Sequence, residues 1–537
     1  MDRSRGLLSV CTLVLMLAGC KVGPKYIQPV AQIEESWLDA SNERIRVEPD
    51  AVDYSEWWKT LGDPVLDGLI QRAYDQNLPL QIAGLRVLEA RAQRGIAVGG
   101  FFPQLQEATG GLTGTHISDN AANASMLDKK YWDHDVGLQA AWELDFWGKF
   151  RRAIASGDAA LLASVADYDS VLVSLIADVA ATYIEIRTVE ERLSLARGNI
   201  ELQRESLNIA DVRFRNGAVS ELDVQQAKSN LANTQALVPL LETRLQQAKN
   251  RLCVLLGIPP REIRDLLGEP GSIPTAPADV VLGVPADLLR RRPDIRRAER
   301  IAAAASERIG MAYADFYPSF TLSGFTGFQT STGYVPGTGG PPDLKNIFDA
   351  ASFTGFVDFG FNWPVLNYGR IANNVRVQDA RFQQAAIAYQ DVVLRAAAEV
   401  ENGLVGFLRS QEQAERLLES VKAARRSAEL AHAQYRDGAI DYTRVLQTET
   451  ALVIQEDGWA VARGTITGNL ISLYRALGGG WELRNGREFV APELAKEMRS
   501  RVNWGHVLSI EQETTGEKLF ELSRPNARGT SCDGDRP

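Results

Sequence analysis

The sequence predicts a mainly α-helical chain that also carries transmembrane β-strands, built from one module that occurs twice. Three observations support this fold class: an internal repeat, long heptad-patterned segments in each copy, and short segments in which apolar residues occupy every second position. The chain has 537 residues, of which 45% are hydrophobic and 23% charged. This composition is sufficient for a large core and excludes a globally disordered chain.

The internal repeat determines how the chain is organised. Residues 213–224, R-F-R-N-G-A-V-S-E-L-D-V, recur as residues 434–445, Q-Y-R-D-G-A-I-D-Y-T-R-V, so that Gly217 and Gly438 lie 221 positions apart. The same offset relates Trp142 to Trp363 and continues to the end of each copy. A module of about 200 residues is therefore present twice, which predicts pseudo-symmetry in the fold.

Each copy contains a strand pattern with one apolar and one polar face. The apolar residues are Val136, Leu138, Ala140, Trp142, Leu144 and Phe146 in the first copy, and Val357, Phe359, Phe361, Trp363 and Val365 in the second. Thr- and Gly-rich partners at 104–117 and 319–329 complete two predicted hairpins. Strands of about ten residues with this alternation are typical of transmembrane β-barrels, although an ordinary half-buried antiparallel sheet gives the same pattern.

Two hairpins supply four strands, which are too few to close a barrel, since the smallest barrels need about eight. If the strands span a membrane, the chain must therefore oligomerise, and three copies would supply twelve strands. The export signal described below and the aromatic residues at the strand ends favour this membrane interpretation.

The segments after the strands follow the coiled-coil period. From Leu161 to Phe214, apolar residues alternate spacings of four and three, which predicts one long supercoiled helix. At 1.5 Å per residue, helix 153–215 would be ~95 Å long, whereas the returning helix 221–256 would cover only ~54 Å. Helix 77–100 has nearly the missing length, so we expect it to stack end to end on the returning helix.

The N-terminus has the pattern of an export signal. Two arginines precede an apolar run over residues 7–17, which is too short for a stable transmembrane helix. The tetrapeptide L-A-G-C that ends at Cys20 is similar to a bacterial lipobox. By resemblance to enteric lipoproteins, Lys21 after the cysteine, in place of Asp, favours sorting to the outer membrane. We expect lipidation of Cys20; a plain secretory signal with a chance cysteine, or a buried helix, is the alternative.

Composition and motifs argue against several other classes. The net charge of −10 gives no electrostatic reason to bind nucleic acid. The four histidines are scattered without metal-ligand spacing, and no catalytic triad or phosphate loop is present. We therefore expect no enzyme activity, with a secreted hydrolase that uses a Glu/Asp pair as the alternative, and no cofactor beyond the covalent diacylglycerol and acyl lipid on Cys20.

Five segments together resemble the outer-membrane efflux lipoproteins, the TolC-like channel-tunnels of the NodT type. They are G-C-K-V-G-P-K-Y-I-Q-P from residue 19, W-W-K-T-L-G-D-P-V-L-D-G-L-I from 57, W-E-L-D-F-W-G-K from 142, V-P-A-D-L-L-R-R-R-P-D-I from 284 and F-Y-P-S-F-T-L from 316. The sequence departs from the family at 77–80, N-L-P-L, where relatives often have Asn-Pro-Asp. We expect this departure to shift a helix start.

The resemblance implies a homotrimer with a twelve-stranded β-barrel in the outer membrane and a barrel of twelve helices in the periplasm. It implies a passive efflux duct that is gated at its periplasmic end by a periplasmic adaptor (membrane fusion) protein and an inner-membrane pump, with the proton-driven multidrug class favoured. An exit duct of a type I protein secretion system, or a lipid-tethered structural coiled coil, is the alternative. The sequence does not identify the exported compound.

These expectations assign a role to each part of the chain. The assignments are a signal peptide at 1–19, an N-terminal equatorial and anchor segment at 20–60, a first repeat at 61–257 (strands about 103–146; helices about 77–100, 153–215 and 221–256), a linker at 258–285, a second repeat at 286–478 (strands about 318–366; helices about 292–315, 374–436 and 442–477), a C-terminal equatorial segment at 479–515 and a disordered tail at 516–537.

The resemblance also implies roles for the two glycine turns, although a turn between antiparallel helices accounts for their residues by itself. Ser220 with Asp223 predicts a near capping box, and Asp441 predicts a cap in the second copy. The implied adaptor-docking residues are Gly217, Ala218, Val219, Ser220, Gly438, Ala439, Ile440 and Asp441. The implied periplasmic gate residues are Asp441, Tyr442, Arg444 and Glu449, whose charges a solvated helix face would also explain.

Overall fold

A computed structural model describes residues 21–47, 53–120, 128–283, 285, 290–333 and 344–508. The signal peptide, Cys20, the first residues of the second repeat and the tail 516–537 lie outside the described residues. The described helices are α1 (Pro64–Gln76), α2 (Leu78–Gly99), α3 (Lys149–Arg215), α4 (Glu221–Leu255), α5 (Arg264–Leu267), α6 (Pro293–Ala314), α7 (Arg370–Arg436), α8 (Tyr442–Ala476) and α9 (Pro492–Arg501). The strands are β1 (Ile45–Val47), β2 (Leu105–His116), β3 (Lys130–Leu144), β4 (Val280–Leu282), β5 (Ser319–Ser331) and β6 (Phe353–Asn362).

The contacts divide the chain into two compact units. Of the described residues, 21–28, 89–162 and 299–387 belong to the first unit. This unit contains the four long strands and the helix segments next to them. The remaining described residues belong to the second unit, which contains most of the helical chain.

The first unit contains one antiparallel sheet with the strand order β2-β3-β5-β6. The predicted hairpins are therefore present, and their inner strands pair with each other. In this register Trp142 lies opposite Leu322, and Leu322 lies opposite Phe359, so apolar residues from three strands form a row on one face. Strands β2 and β6 form the two edges of the sheet.

The apolar face of the sheet is exposed to its surroundings. Leu138 is 60% exposed, Phe359 61% and Val357 82%. In an ordinary half-buried sheet, these side chains would be covered by a core. Soluble monomers rarely expose apolar patches of this kind. The face therefore has the character of a surface that contacts lipid.

A tryptophan closes the base of each hairpin in the same way. Trp142 Nε1 donates a hydrogen bond of 3.1 Å to the carbonyl oxygen of Phe101, and Trp363 Nε1 donates one of 3.0 Å to that of Phe316. The two tryptophans are repeat counterparts, and so are the two acceptors. The duplication seen in the sequence is thus also present in side-chain contacts.

The long helices α3 and α7 begin four residues before the predicted starts at 153 and 374. At α3 the carboxylate of Asp145 explains the earlier start. It accepts hydrogen bonds from the backbone N–H groups of Phe150 and Arg151, at 2.9 and 3.1 Å. A carboxylate at this position pairs the free N–H groups of the first helical turn.

In the second unit, α4 meets the start of α2 and α8 meets the start of α6, which confirms the predicted end-to-end stacking. Gly257, with φ +69°, lies so close to α1 that a Cβ there would be 2.3 Å from the carbonyl oxygen of Gln76. Its counterpart Gly478, with φ +71°, lies less tightly against Arg292 and Pro293, where a Cβ would be 3.2 and 3.3 Å from their nearest atoms. Both junctions favour glycine because of the positive φ, and at Gly257 the close approach adds a steric reason.

The N-terminal segment and the linker between the repeats contact each other in the second unit. Strands β1 and β4 pair in parallel, and Trp37 Nε1 donates a hydrogen bond of 3.1 Å to the carbonyl oxygen of Gly283. Trp57 stacks on Tyr474 of α8 at 5.1 Å. These contacts join chain segments outside the repeats to a helix of the second repeat.

Among the described helices, α3 contains an 18-residue window that is apolar enough to cross a membrane by composition. Just over half of that window, 56%, is buried inside the protein. Two aspartates, Asp167 and Asp169, lie in this part of the helix, and Asp169 is fully buried and paired with Arg484 at 2.7 Å. The window therefore has the properties of a core helix.

Candidate docking and gating site

Two short turns connect the long helices, at residues 216–220 between α3 and α4 and at 437–441 between α7 and α8. We call them the first turn and the second turn. Gly217 and Gly438 have φ values of +72° and +79°, the left-handed conformation that glycine adopts without steric cost. In both turns the residue after the glycine donates its N–H to a carbonyl five residues earlier, at 2.9 and 2.8 Å. The two turns thus share one helix-ending backbone geometry.

Most residues of both turns are exposed, as a docking surface requires. Gly217, Ala218 and Ser220 are exposed in the first turn, and Val219 is half-buried. The second turn repeats this pattern, with Ile440 half-buried among apolar neighbours. Each turn therefore presents mainly backbone and small side chains.

The two turns begin their second helices differently. Asp441 Oδ1 accepts a hydrogen bond of 3.3 Å from the backbone N–H of Arg444, which confirms the predicted cap. Ser220 makes no such cap, so the predicted near capping box is wrong. Its hydroxyl instead donates to the carboxylate of Asp223 at 3.4 Å, which leaves the first N–H groups of α4 without this partner.

An apolar cluster joins the four helices beside the turns. Its buried members are Ala210, Val224, Ala227, Ala431, Tyr435, Tyr442 and Val445. The rings of Tyr435 and Tyr442 meet edge to face, with centroids 5.5 Å apart. Burial raises the pKa of the Tyr435 phenol to about 12, and burial also raises the pKa of Tyr442. Both phenols are therefore neutral at physiological pH.

The structure separates the candidate gate residues into two pairs. Asp441 and Arg444 are exposed at the second turn, where their side chains are accessible to a partner or a neighbouring copy. Tyr442 and Glu449 are each only 1% exposed and lie between the helices. The sequence alone did not predict this division.

Glu449 lies at the centre of a buried polar cluster. Asn230 Nδ2 donates a hydrogen bond of 2.7 Å to one carboxylate oxygen, and the Ser206 hydroxyl donates to the other. His432 Nε2 lies 2.9 Å from that second oxygen. Because both oxygens have partners from α3, α4 and α7, Glu449 connects the helices of the two repeats within one chain.

Arg213 is a further site residue that the sequence analysis missed. Its guanidinium lies over the ring of Tyr435 at 4.6 Å and donates to the carbonyl oxygen of Tyr435. Arg213 thus reaches from the end of α3 to the chain just before the second turn. The sequence offered one signal for Arg213: it lies in the repeated segment, and the second copy has Gln434 instead of an arginine at the counterpart position.

Within the part of the chain that the structure describes, no group of three or more His, Cys, Asp or Glu side chains is arranged to hold a metal ion. The described cysteine, Cys253, is a buried free thiol that donates to the carbonyl oxygen of Arg261 at 3.7 Å. The site thus consists of backbone turns, an apolar cluster and hydrogen-bonded polar side chains.

A duplicated module with paired long helices and a sheet whose apolar face is exposed defines the class of outer-membrane channels. The chain belongs to the outer membrane efflux protein family, whose model matches residues 69–258 and 284–479. The two matched segments correspond to the two copies of the repeat.

Named relatives match over most of their length. Nodulation protein T of Rhizobium leguminosarum bv. viciae is 28% identical over 488 residues, covering 91% of this chain and 95% of the relative. The pyoverdine export outer membrane protein OpmQ of Pseudomonas putida is 30% identical over 483 residues, covering 88% and 97%. A probable outer membrane lipoprotein, SilC of Salmonella typhimurium, is 28% identical over 485 residues, covering 88% and 98%.

A solved structure of the outer-membrane channel OprN is similar to this fold, with a TM-score of 0.79 and 31% sequence identity. The match covers 86% of this chain and all of that one. Family and neighbour are channel proteins rather than enzymes.

Proposed function

We propose that the chain is the outer-membrane channel component of a tripartite efflux system and acts as a passive duct. The observation that carries this proposal is the four-stranded sheet with an exposed apolar face, whose edge strands β2 and β6 each pair on one side only among the described residues. Strands of 10 to 15 residues are long enough to span the hydrocarbon core of an outer membrane. Four strands cannot close alone, so the duct requires several copies.

The proposed assembly is a homotrimer. Because the four strands alternate in direction, β6 of one copy would run antiparallel to β2 of the next, and closure leaves no free edge. Three copies then give a twelve-stranded barrel, and the paired long helices of the two repeats give twelve helices below it. The repeats at 61–257 and 286–478 would occupy alternate, pseudo-equivalent positions around the axis.

We further propose that Cys20 carries the lipid anchor. The residues that follow it are fixed in the first unit: Lys21 lies against Gly148, and the N–H of Val22 donates a hydrogen bond of 3.1 Å to the carbonyl oxygen of Trp147. Arg152 also donates to the carbonyl oxygen of Val22, at 2.9 Å. A lipid on the preceding residue would therefore start close to the base of the sheet. The lipoprotein name of the relative SilC supports this modification.

The proposed partners are a periplasmic adaptor and an inner-membrane pump of the proton-driven multidrug class. Residues 217–220 and 438–441 would receive the adaptor, since their exposed backbone and small side chains suit a helical hairpin. At rest, Asp441 and Arg444 would form the exposed part of the gate. Tyr442 and Glu449 would act on the gate through the packing of α8.

The test uses the full-length lipidated protein purified from outer membranes. Native mass spectrometry should give a trimer, unboiled samples should resist SDS, and planar bilayers should show discrete conductance steps. A monomer that conducts no ions and migrates alike with and without boiling would contradict the proposal and favour a tethered coiled coil. Co-purification should identify an adaptor and a proton-driven pump; an ATP-driven exporter of proteins would instead favour type I secretion.

A further inference from the structure

Two phenylalanines interrupt the polar face of the sheet. Gln139 of β3 lies opposite Phe325 of β5, and Phe325 lies opposite Phe356 of β6. Residues directly opposite each other in antiparallel strands share a face. Because Gln139 alternates with Leu138 of the apolar face, both phenylalanines lie on the polar face with Gln139. Their position does not follow the alternation of the other strand residues.

The two rings stack on each other. Their centroids are 6.4 Å apart and their planes differ by 24°, which is an offset stack. The Phe325 ring lies directly on two glycines: a Cβ at Gly137 would be 2.5 Å from it, and one at Gly327 would be 2.9 Å away. An aromatic ring that covers glycines stabilises a sheet, and this accounts for Phe325. It does not account for Phe356, which is 59% exposed.

The first repeat has a different pair at this place. The offset of 221 residues relates Phe356 to Asp135, and Asp135 lies opposite Gly111 in the pairing of β2 with β3. A carboxylate and a glycine thus occupy the place of the two rings. The aromatic pair belongs to one repeat, so the strand pattern that both repeats share does not explain it.

The polar face around the aromatic pair is acidic. Its charged strand residues are Glu107, Asp133, Asp135, Glu143 and Asp358, and the described strands place no lysine or arginine on this face. Asp358 is exposed and follows Phe356 by two positions, so the two side chains share a face. An exposed ring attracts a cation at its face, and nearby carboxylates add to that attraction. These surroundings favour a ligand that has both an aromatic ring and a positive charge.

We propose that Phe325, Phe356 and Asp358 form a weak binding site for aromatic cations on the inner wall of the channel. This rests on the proposed trimer, in which the polar face of the sheet lines the duct and three copies supply three sites. The exposed Phe356 ring stacks on the ring of the ligand, and Asp358 attracts its charge. Both contacts are open to water, so binding is brief and the ligand can leave toward the exterior.

The test measures binding of N-methylquinolinium, a planar aromatic cation, to the full-length lipidated trimer in phosphatidylcholine nanodiscs. Saturation-transfer difference NMR gives the dissociation constant, and empty nanodiscs give the background from the lipid. Phe356→Ala should raise the dissociation constant on the order of tenfold, because a stacking contact and a cation–π contact are lost. Phe356→Tyr should retain binding. Phe356→Leu, which keeps an apolar side chain without a ring, should lose as much as Phe356→Ala.

Phe359→Ala is the matched control. Phe359 is also in β6 and is 61% exposed, but it lies three positions from Phe356 and therefore on the opposite face. This variant should change the dissociation constant by less than about twofold, because the ligand does not reach that face. Asp358→Asn should weaken binding at low salt and have little effect at high salt, since salt screens the charge. Tetraethylammonium, a cation without a ring, should bind the native protein no better than it binds Phe356→Ala.

Equal losses in Phe356→Ala and Phe359→Ala, or full affinity in Phe356→Leu, would overturn the site. Binding of N-methylquinolinium that none of the variants changes would also overturn it. Native mass spectrometry of the same samples reports the trimer separately. A trimer that conducts ions but does not bind the probe overturns the site alone, whereas absence of a trimer in the native protein overturns the channel and the site together.

Discussion

The side chain of Asn77 donates a hydrogen bond of 2.9 Å to the carbonyl oxygen of Leu255, the last residue of α4. In the second repeat, Arg292 donates one of 2.6 Å to the carbonyl oxygen of Ala476, the last residue of α8. Leu255 and Ala476 are repeat counterparts, so two different side chains satisfy the same free carbonyl at a helix end. The helix junction is preserved although the residue type is not.

Replacement of these two side chains should destabilise the junctions to different degrees. Asn77→Ala removes the donor to Leu255 and also the acceptor of the Leu80 N–H, so we expect a loss of about 1–3 kcal/mol. Arg292→Met removes the donor to Ala476 and two contacts of a buried guanidinium, but Asp294 and Glu399 are partly exposed and become hydrated, so we expect about 2–3 kcal/mol. Thermal unfolding followed by circular dichroism measures both. The exposed control Arg501→Ala should change stability by less than about 1 kcal/mol, and an equal effect of all three variants would contradict the prediction.

Glu449→Gln should destabilise the helices beside the turns. Three donors surround the carboxylate of Glu449, from Ser206, Asn230 and His432, and an amide would turn its own donor toward one of them. We expect a loss of about 2–3 kcal/mol in the free energy of unfolding. Glu205→Gln is the matched control, because Glu205 pairs with Arg436 in the open at 2.7 Å and such pairs contribute less than about 1 kcal/mol. Equal losses in the two variants would show that the burial of Glu449 is energetically unimportant.

The phenol of Tyr435 should titrate near pH 12 in the folded protein. Its pKa is raised from 10.0 to about 12 mainly by burial, so the folded state favours the neutral phenol. The stability contributed by this group is fully present below pH 10 and is lost as the pH rises through 12. The difference in tyrosinate absorbance between the native protein and Tyr435→Phe isolates this residue. A difference signal that titrates near pH 10 would contradict the prediction.

Two glycines with positive φ should respond differently to alanine. Gly217 has open space around its Cβ position, so Gly217→Ala adds only backbone strain, about 1 kcal/mol. At Gly257 the added Cβ would lie 2.3 Å from the carbonyl oxygen of Gln76, and we expect Gly257→Ala to cost about 3 kcal/mol or more. Unfolding curves of the two variants give the comparison. A larger loss at Gly217 would mean that the first turn is packed more tightly than the structure shows.

Much of this fold could be predicted from the sequence, because the signals were periodic and occurred twice. Alternation identified the strands, heptads identified the long helices, and the repeated Gly217 and Gly438 identified the turns. Each of these features depends on local backbone geometry and the period of the apolar residues. The duplication made each weak signal stronger, since a chance pattern would not recur at a fixed offset.

The contacts between the helix pair of the first repeat and that of the second repeat could not be predicted in this way. Ser206 and Ser427 are identical residues at counterpart positions, yet Ser206 is buried and bonded to Glu449, whereas Ser427 is exposed and bonded to its own helix. Their difference comes from how the helix pair α7 and α8 packs on the helix pair α3 and α4. A heptad pattern does not determine that packing, so the burial of Glu449 and the role of Arg213 were missed.

The last prediction tests which face of the sheet contacts lipid. Leu138 and Gln139 are neighbours in β3, and successive side chains of a strand point to opposite faces. Leu138 is 60% exposed on the apolar face, whereas Gln139 bonds to Glu107 on the polar face. An arginine in contact with the hydrocarbon core costs about 2–4 kcal/mol near the bilayer midplane, whereas an arginine on the aqueous face costs little.

We therefore expect Leu138→Arg to reduce the amount of heat-modifiable trimer in the outer-membrane fraction severalfold, while Gln139→Arg retains it. In a sheet surrounded by water, both arginines would be tolerated equally. Semi-native gels of membrane fractions, with both variants expressed at matched levels, make this comparison. Equal trimer yields for the two variants would remove the physical basis for placing this sheet in a membrane.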